Sequence, residues 1–237
     1  MTENQRVYLQ NSYIIHHRPY RESSVILDVF SGDYGKISLI ARGVRSNKSK
    51  LAGILQPFKL LRLSWSGRSN LQLLTAAELI LPDVHLQGKS LFCGFYVNEL
   101  INRFLHQHDP HPELFAFYSA TLLALAKCDN LETALRYFEL ALMDQVGFGL
   151  QLDYEIDSGA EIDADSLYGY VVGQGPVLTR SNTNAIHGGT LIELRQHDLK
   201  SDTALAEAKR LMRKVIDFHL SGAILRSRSL FGSNKKA

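Results

Sequence analysis

The chain has 237 residues, of which 45% are hydrophobic and 21% are charged. This composition is typical of a globular protein with one large or two modest domains, and it excludes a wholly disordered or collagen-like chain. The formal net charge is only +2, but it arises from regions of opposite sign. Lys and Arg outnumber Asp and Glu by 11 to 5 in residues 1–80 and by 8 to 3 in residues 201–237, whereas acids prevail by 16 to 7 between them. We therefore expect the two ends of the chain to meet a polyanion.

The chain carries two cysteines, Cys93 and Cys128. They are too few for a disulfide framework, and each lies in an apolar stretch where it is expected to behave as a small core residue. The first residues lack the pattern of a signal peptide, and no segment approaches the roughly 18 apolar residues of a membrane span. The sequence therefore predicts a cytoplasmic protein.

The first third of the chain is strand-like. Gly-containing turns at 31–35 and 66–70 have hairpin length, whereas residues 42–57 form a longer connection. A small closed barrel of the OB type has five short strands and such a connection. The predicted strands, rich in β-branched and aromatic residues, are Tyr13–His16, Ser24–Phe30, Lys36–Ala41, Phe58–Trp65 and Asn70–Ala76.

Beyond Pro82 the apolar period changes from two to about 3.6 residues, which predicts helices. They are expected at residues 89–107, from Pro112 onward, from an N-cap at Asn130 to Gly147, and as a final pair between Ser201 and His219. Residues 147–187 are predicted to form a loop or a small β excursion. The fold class is therefore α+β, with an OB-fold barrel in residues 1–80 and a helical domain in residues 81–237.

The connection after the third predicted strand is basic. Four cations lie within nine residues that contain no acid: Arg42, Arg45, Lys48 and Lys50. Such a run, flanked by small residues, suits contact with a phosphate backbone, although a solvated loop without a ligand fits it equally well. Arg21, Lys36 and Arg68 of the barrel are further candidates, and Tyr20, Tyr34, Phe58 and Trp65 are more simply core residues than stacking platforms for bases.

A second basic stripe is expected on the last helix. Lys209, Arg210, Arg213 and Lys214 share one helical face, which is either a second DNA-contacting surface or an ordinary solvated face. The usual motifs for nucleotide hydrolysis, serine hydrolases and zinc proteases are missing. The acidic run at 153–165 is interpreted as solvated, and no catalytic, metal or cofactor site is predicted.

Several motifs resemble the RecO family of recombination-mediator and DNA repair proteins. The resemblance spans most of the chain, and the segment 41–58 is its strongest part. The motifs are Tyr20-Arg21-Glu22-Ser23-Ser24, Ala41-Arg42-Gly43-Val44-Arg45-Ser46, Lys50-Leu51-Ala52-Gly53-Ile54-Leu55-Gln56-Pro57-Phe58, Tyr96-Val97-Asn98-Glu99-Leu100, Leu135-Arg136-Tyr137-Phe138-Glu139-Leu140 and Leu225-Arg226-Ser227-Arg228-Ser229-Leu230-Phe231.

The resemblance implies an OB-fold, a helical domain and non-enzymatic handling of DNA. It implies binding of single- and double-stranded DNA, annealing of complementary strands, and loading of the RecA recombinase with RecR onto DNA coated by single-strand DNA-binding protein. It also implies association with the nucleoid. An adaptor that reaches DNA only through protein partners is the alternative hypothesis.

The resemblance also implies docking of the acidic C-terminal tail of the single-strand DNA-binding protein. Arg136 is the candidate receptor for a tail carboxylate, since an arginine can pair it bidentately. An ion pair with Glu132 or Glu139 on the same helix is an equally good interpretation. Many family members carry four cysteines after this helix, but residues 151–185 contain none, so no zinc is expected. Packing of Tyr154, Tyr168 and Tyr170 is predicted to order that segment instead.

Overall fold

A computed structural model describes residues 6–46, 49–81 and 84–231. In its N-terminal part, five strands close into a barrel in the order β1-β2-β3-β5-β4, with β3 and β5 parallel and the other pairs antiparallel. The predicted OB-like barrel is therefore confirmed. The strands are β1 (Arg6–Tyr20), β2 (Ser24–Ser31), β3 (Gly35–Ala41), β4 (Leu60–Ser66) and β5 (Leu71–Leu79), and a short 3-10 helix (Leu51–Gly53) lies between β3 and β4.

The barrel core is built by the alternation of side chains along these strands. Leu27, Val29, Ile37 and Leu39 point inward and are at most 1% exposed. Strand β1 is much longer than the predicted run at 13–16, because it continues past an irregularity between Ile14 and His16 to pair with β2 as far as Tyr20. Such a bulge bends a strand without ending it, so one strand serves both the barrel and an extended hairpin.

Five α-helices and a small sheet follow. The predicted start at Pro112 is confirmed, whereas the predicted final helix pair is wrong: residues 202–219 form one uninterrupted helix, preceded by a short helix. The helices are α1 (Gly88–Phe104), α2 (Pro112–Lys127), α3 (Leu131–Gln145), α4 (Gly188–Arg195) and α5 (Asp202–His219), followed by a 3-10 helix at Arg226–Phe231; the sheet contains β6 (Leu167–Val171), β7 (Gly175–Leu178) and β8 (Ile186–His187). None of the helices in the described ranges is long and apolar enough to cross a membrane.

Two details of the helices differ from the sequence prediction. Asn130 occupies the N-cap position of α3 but makes no side-chain capping hydrogen bond. Cys93 is buried as predicted, whereas Cys128 is exposed. The reason is positional: Cys128 ends α2 in a left-handed conformation with φ of 61°, outside the apolar stripe of that helix.

By its contacts, the chain forms two compact units, neither of which ends at residue 80. Unit 1 contains the chain up to Cys128 and the segment from Leu225 onward, and unit 2 contains Asp129–Ile224. Helices α1 and α2 belong to unit 1 because they pack on the barrel. The buried Asn98 of α1 donates to the carbonyl of Ile15 in β1 (3.1 Å) and accepts from the hydroxyl of Tyr118 in α2 (2.5 Å).

The predicted β excursion in unit 2 is confirmed as the three-stranded sheet β7-β6-β8. Tyr168 and Tyr170 are buried, as predicted, but Tyr154 is exposed. The turn preceding the sheet is instead organised by the buried Glu155. Its carboxylate accepts hydrogen bonds from the backbone and hydroxyl of Ser158 and from the backbone N–H groups of Asp157 and Leu178. A single acid thus ties this turn to β7.

Candidate nucleic-acid interface

The basic loop after β3 is held at one end of the barrel by its own backbone. Gly43 takes a φ of +69°, which turns the chain so that Val44 enters the barrel core. The N–H of Arg45 then donates to the carbonyl of Ser23 (2.9 Å), and its guanidinium donates to the carbonyl of Arg21 (3.2 Å). The loop therefore begins against the turn between β1 and β2, and it brings Arg45 to Arg21.

The side chains of this region remain available. Arg21, Arg42, Arg45 and Lys50 are exposed, and within the part of the chain that the structure describes none of them forms an ion pair with an acid. The guanidinium of Arg21 lies 5.2 Å from the centre of the Tyr20 ring, a cation–π arrangement that leaves its charge uncompensated. We call Arg21, Arg42 and Arg45 the basic end of the barrel. Lys48 lies outside the described residues.

The groove expected beside this loop is largely covered. All eight residues of β2 are buried, which requires that both of its faces be packed. The inner face meets the barrel core, and on the outer face Phe30 packs edge-on against Phe115 and Tyr118 of α2, with ring centres 5.4 and 5.9 Å apart. OB-folds commonly bind oligonucleotides on this face of β2 and β3. Here α1 and α2 occupy it, so this face is not available to a ligand.

The prediction that Lys36 contacts DNA is corrected for the same reason. Lys36 lies on the covered part of β3, is 9% exposed, and donates its ammonium to the carbonyl of Asn102 in α1 (2.6 Å). Burial lowers the pKa of this lysine, and the nearby Asp28 partly opposes that effect. Lys36 therefore joins α1 to the barrel.

Arg68 is exposed but distant from the basic end. It lies in the turn between β4 and β5, and the register places Ser66 opposite Arg6, at the start of β1. Arg21 follows the other end of β1. The two turns thus lie at opposite ends of this strand, and the structure does not bring Arg68 together with Arg42 and Arg45.

The aromatic side chains of the barrel are mostly core residues, as the sequence indicated. Phe58 and Trp65 are buried, and Tyr34 packs edge-on against Trp65 with ring centres 5.2 Å apart. Tyr8, which no sequence motif singled out, is instead 62% exposed. Arg18 was also missed, although it is exposed on β1 just before Arg21. Arg18 could have been found from the sequence, because the strand pattern of β1 continues past residue 16 to the turn at 21–23 and so places this cation next to Arg21.

The basic stripe on α5 lies in unit 2, and most of its cations have partners there. Lys209 forms an ion pair with Glu132 of α3 (2.6 Å). Arg210 donates to the carbonyl of Ala185 (2.5 Å), and Lys214 donates to that of Tyr170 (2.6 Å). Arg213 is exposed. The stripe therefore joins α5 to α3 and the small sheet, and its DNA-binding role stays a prediction that these contacts do not favour.

Arg136 is not placed to receive a partner's carboxylate. It is 2% exposed, and its guanidinium binds both carboxylate oxygens of the fully buried Glu139, at 2.7 and 2.5 Å. Glu132 accepts a further hydrogen bond at 3.3 Å. The intrahelical ion pair that was the alternative interpretation is therefore the observed one, and the assignment of Arg136 to tail binding is corrected.

Comparison with known proteins gives consistent matches over nearly the whole chain. The family model described as "Recombination protein O N terminal" matches residues 6–82, and the one described as "Recombination protein O C terminal" matches residues 85–229. A DNA repair protein RecO from Methylococcus capsulatus is 47% identical over 229 residues, which cover 97% of this chain and 95% of the relative. Relatives of the same name from Nitrosococcus oceani and Vibrio parahaemolyticus are each 40% identical, over 95% and 96% of this chain and 93% and 94% of their own length.

Proposed function

Because the chain belongs to the RecO family of DNA repair proteins, we propose that it binds DNA directly through the basic end of its barrel and acts without breaking or forming covalent bonds. In this proposal it binds single- and double-stranded DNA, anneals complementary strands, and works with RecR to load RecA onto DNA coated by single-strand DNA-binding protein. The observation that supports it is the exposed, acid-free position of Arg42 and Arg45 beside Arg21.

The physical basis of annealing is charge neutralisation. Two complementary strands repel each other through their phosphates, and a protein that supplies cations to both releases condensed counterions and lowers that repulsion. Contacts to phosphates carry no sequence information, so the protein should anneal any pair of complementary strands. The hydrogen bond from the N–H of Arg45 to the Ser23 carbonyl anchors the backbone at this arginine, which limits the entropy lost when it binds.

The proposal is tested by reversing the described loop charges in the purified protein, as Arg42→Glu/Arg45→Glu/Lys50→Glu. The slope of log affinity against log salt should become shallower by about 0.7 for each single-strand phosphate that is no longer neutralised, and by about 0.9 for each duplex phosphate. At about 0.1 M salt this corresponds to an affinity loss of roughly 100-fold, equal for all sequences, with a parallel loss of annealing rate.

A matched control changes the net charge equally at other exposed cations of unit 1, as Arg62→Glu/Lys89→Glu/Lys127→Glu, and it should bind DNA within about threefold of the parent protein. Equal losses in the two variants would show that net charge alone attracts DNA. A parent protein that retains no DNA in the absence of other proteins would establish the adaptor hypothesis instead. Strands recovered shortened on a denaturing gel would contradict the non-enzymatic part of the proposal.

A further inference from the structure

A cavity of about 670 Å³ lies in unit 1, between β1, α1 and the 3-10 helix at Arg226–Phe231. Its volume falls in the range typical of pockets that hold small molecules or single building blocks of polymers. It does not overlap the basic end of the barrel, since neither Arg21 nor the loop from Arg42 lines it. The function proposed above therefore leaves it unused.

The cavity is lined by two arginines and one acid, Glu99, so its net charge is positive. Glu99 accepts hydrogen bonds from the N–H of Arg226 (2.9 Å) and from the N–H and hydroxyl of Ser227 (2.8 and 2.6 Å). Burial would raise the pKa of Glu99, but these hydrogen bonds and the nearby Arg103 hold it below the ordinary value. Glu99 is thus an ionised carboxylate, and both of its oxygens accept hydrogen bonds from the 3-10 helix.

Arg103 and Arg226 supply the excess positive charge. Both line the cavity and are exposed, and in the described ranges neither guanidinium forms an ion pair with an acid. His16 of β1 also lines the cavity. Two arginine forks at one opening suit an anion such as a phosphate, which can accept several N–H donors at once.

The same cavity offers apolar surface suited to a flat ring. Phe95 of α1 lines it and remains 39% exposed, while its other contacts include an edge-on packing against Phe58 (5.3 Å between ring centres). Leu230 and Ile15 complete the apolar lining. An exposed aromatic ring beside exposed arginines is the combination that proteins use to hold single-stranded nucleic acid, with a base on the ring and the backbone on the cations.

Strand β1 links this cavity to the basic end of the barrel. His16 lines the cavity, His17 and Arg18 continue as exposed residues, and Arg21 lies in the turn that follows. At about 3.3 Å per residue, His16 and Arg21 are separated by roughly 16 Å along the strand. A strand of DNA held at the basic end can therefore follow β1 into the cavity without crossing the covered face of β2.

We propose that this cavity binds one nucleotide of single-stranded DNA, with its base against Phe95 and its phosphate between Arg103 and Arg226. This inference rests on the proposed function and extends it, because it provides a contact selective for unpaired DNA beside a basic end that any phosphate backbone can occupy. Bases in a duplex are stacked on their neighbours, so only a single strand can place a base on Phe95.

The test compares single-stranded and duplex DNA of equal length in binding to the full chain. Phe95→Leu keeps an apolar side chain but removes the aromatic face, so it should weaken single-stranded binding by about 5- to 100-fold while duplex binding changes less than twofold. Arg103→Gln/Arg226→Gln should make the single-strand salt dependence shallower by about 0.7 in slope, because one phosphate is no longer neutralised. Lys89→Gln, an exposed cation of α1 outside the cavity, is the matched control and should change neither quantity.

Photocrosslinking separates this inference from the function on which it rests. An oligonucleotide containing 5-iodouracil should crosslink to a peptide that includes Phe95 in the parent protein. Crosslinks confined to residues 42–50, with unchanged single-strand affinity for Phe95→Leu, would overturn the cavity site and leave the basic end as the DNA site. A parent protein that binds no DNA would overturn both.

Discussion

The two basic regions of this protein, the loop after β3 and one face of α5, look alike in the sequence and differ in the structure. Arg42 and Arg45 are exposed at the start of a loop whose backbone is anchored to Ser23, and no acid in the described chain is paired with them. Lys209, Arg210 and Lys214 bind Glu132 and two backbone carbonyls within unit 2. Two similar runs of cations therefore differ in how many of their donors the fold leaves available to a ligand.

The physical reason is competition for the same hydrogen-bond donors. A cation that already binds a carboxylate or carbonyl must give up that hydrogen bond before it meets a phosphate, and the free energy needed to break the bond reduces the gain from binding. In the loop, Arg45 gives up at most one exposed hydrogen bond, to the Arg21 carbonyl at 3.2 Å, and its other guanidinium donors stay available. Substitution of a buried, partnered cation should therefore change stability, whereas substitution of an exposed loop cation should change DNA affinity.

The largest effect is expected for Arg136, whose guanidinium is buried against Glu139. Arg136→Met leaves that fully buried carboxylate without its partner, which should lower the free energy of unfolding by about 3–5 kcal/mol. Urea denaturation of the full chain measures this change. DNA affinity below the unfolding transition should stay within twofold, since Arg136 has no accessible donor.

The control for Arg136 removes both charges. Arg136→Met/Glu139→Met replaces the ion pair with apolar side chains and should recover most of the stability, because no uncompensated charge stays buried. Replacement of the exposed partner, Glu132→Gln, should cost less than about 1 kcal/mol. A double variant as unstable as the single one would show that Arg136 stabilises the protein by its shape and packing.

A smaller effect is expected on α5. Lys214→Met removes the bond to the Tyr170 carbonyl and should destabilise the protein by about 1 kcal/mol, whereas Arg213→Gln on the same face should change stability by less than about 0.5 kcal/mol. Neither should alter DNA affinity more than threefold, as measured by fluorescence anisotropy. A tenfold loss of DNA affinity for Arg213→Gln, with unchanged stability, would make α5 a second DNA surface and break the distinction between the two regions.

The last effect concerns Glu155 and is seen as a dependence of stability on pH. Hydrogen bonds from Ser158, and to a lesser extent from Asp157 and Leu178, lower the pKa of this carboxyl to about 2, although burial opposes them. Its stabilisation is therefore complete above the ordinary carboxyl pKa, and it is lost as pH falls from about 4.5 toward 2. Unfolding midpoints between pH 7 and 3 should fall more steeply for the parent protein than for Glu155→Gln. Parallel curves would mean that Glu155 does not stabilise the folded turn through its charge.

The sequence determined which segments form strands and which form helices. Alternation along 24–41 and the two glycine turns were sufficient for the barrel, and the 3.6-residue spacing after Pro112 was sufficient for α2, because both patterns depend on neighbours along the chain. The extent of β1 was not predictable in this way. Its continuation beyond Ile14 depends on a bulge and on pairing with β2, which residues 13–16 alone do not specify.

The candidate site was predicted in part. The local density of Arg42 and Arg45 pointed to the loop, which the structure leaves exposed. Lys36 and Arg136 are cations like the loop arginines, but both are buried. Helix α1 covers the barrel at Lys36, and Arg136 is paired with Glu139, one helical turn away. Burial depends on which surfaces meet in space, and no local pattern reports it.

The sequence by itself therefore determined the fold class, the barrel, the helices and the resemblance that the comparisons confirmed, because each depends on residue order and spacing. The tertiary structure decided which cations can meet a ligand. It covered the outer face of β2 with α2 and gave partners to Lys209, Arg210 and Lys214 of α5. It also packed the segment at Arg226 against Glu99, beside an open cavity. These outcomes depend on packing between segments far apart in the chain, where exposure and hydrogen-bond partners are set.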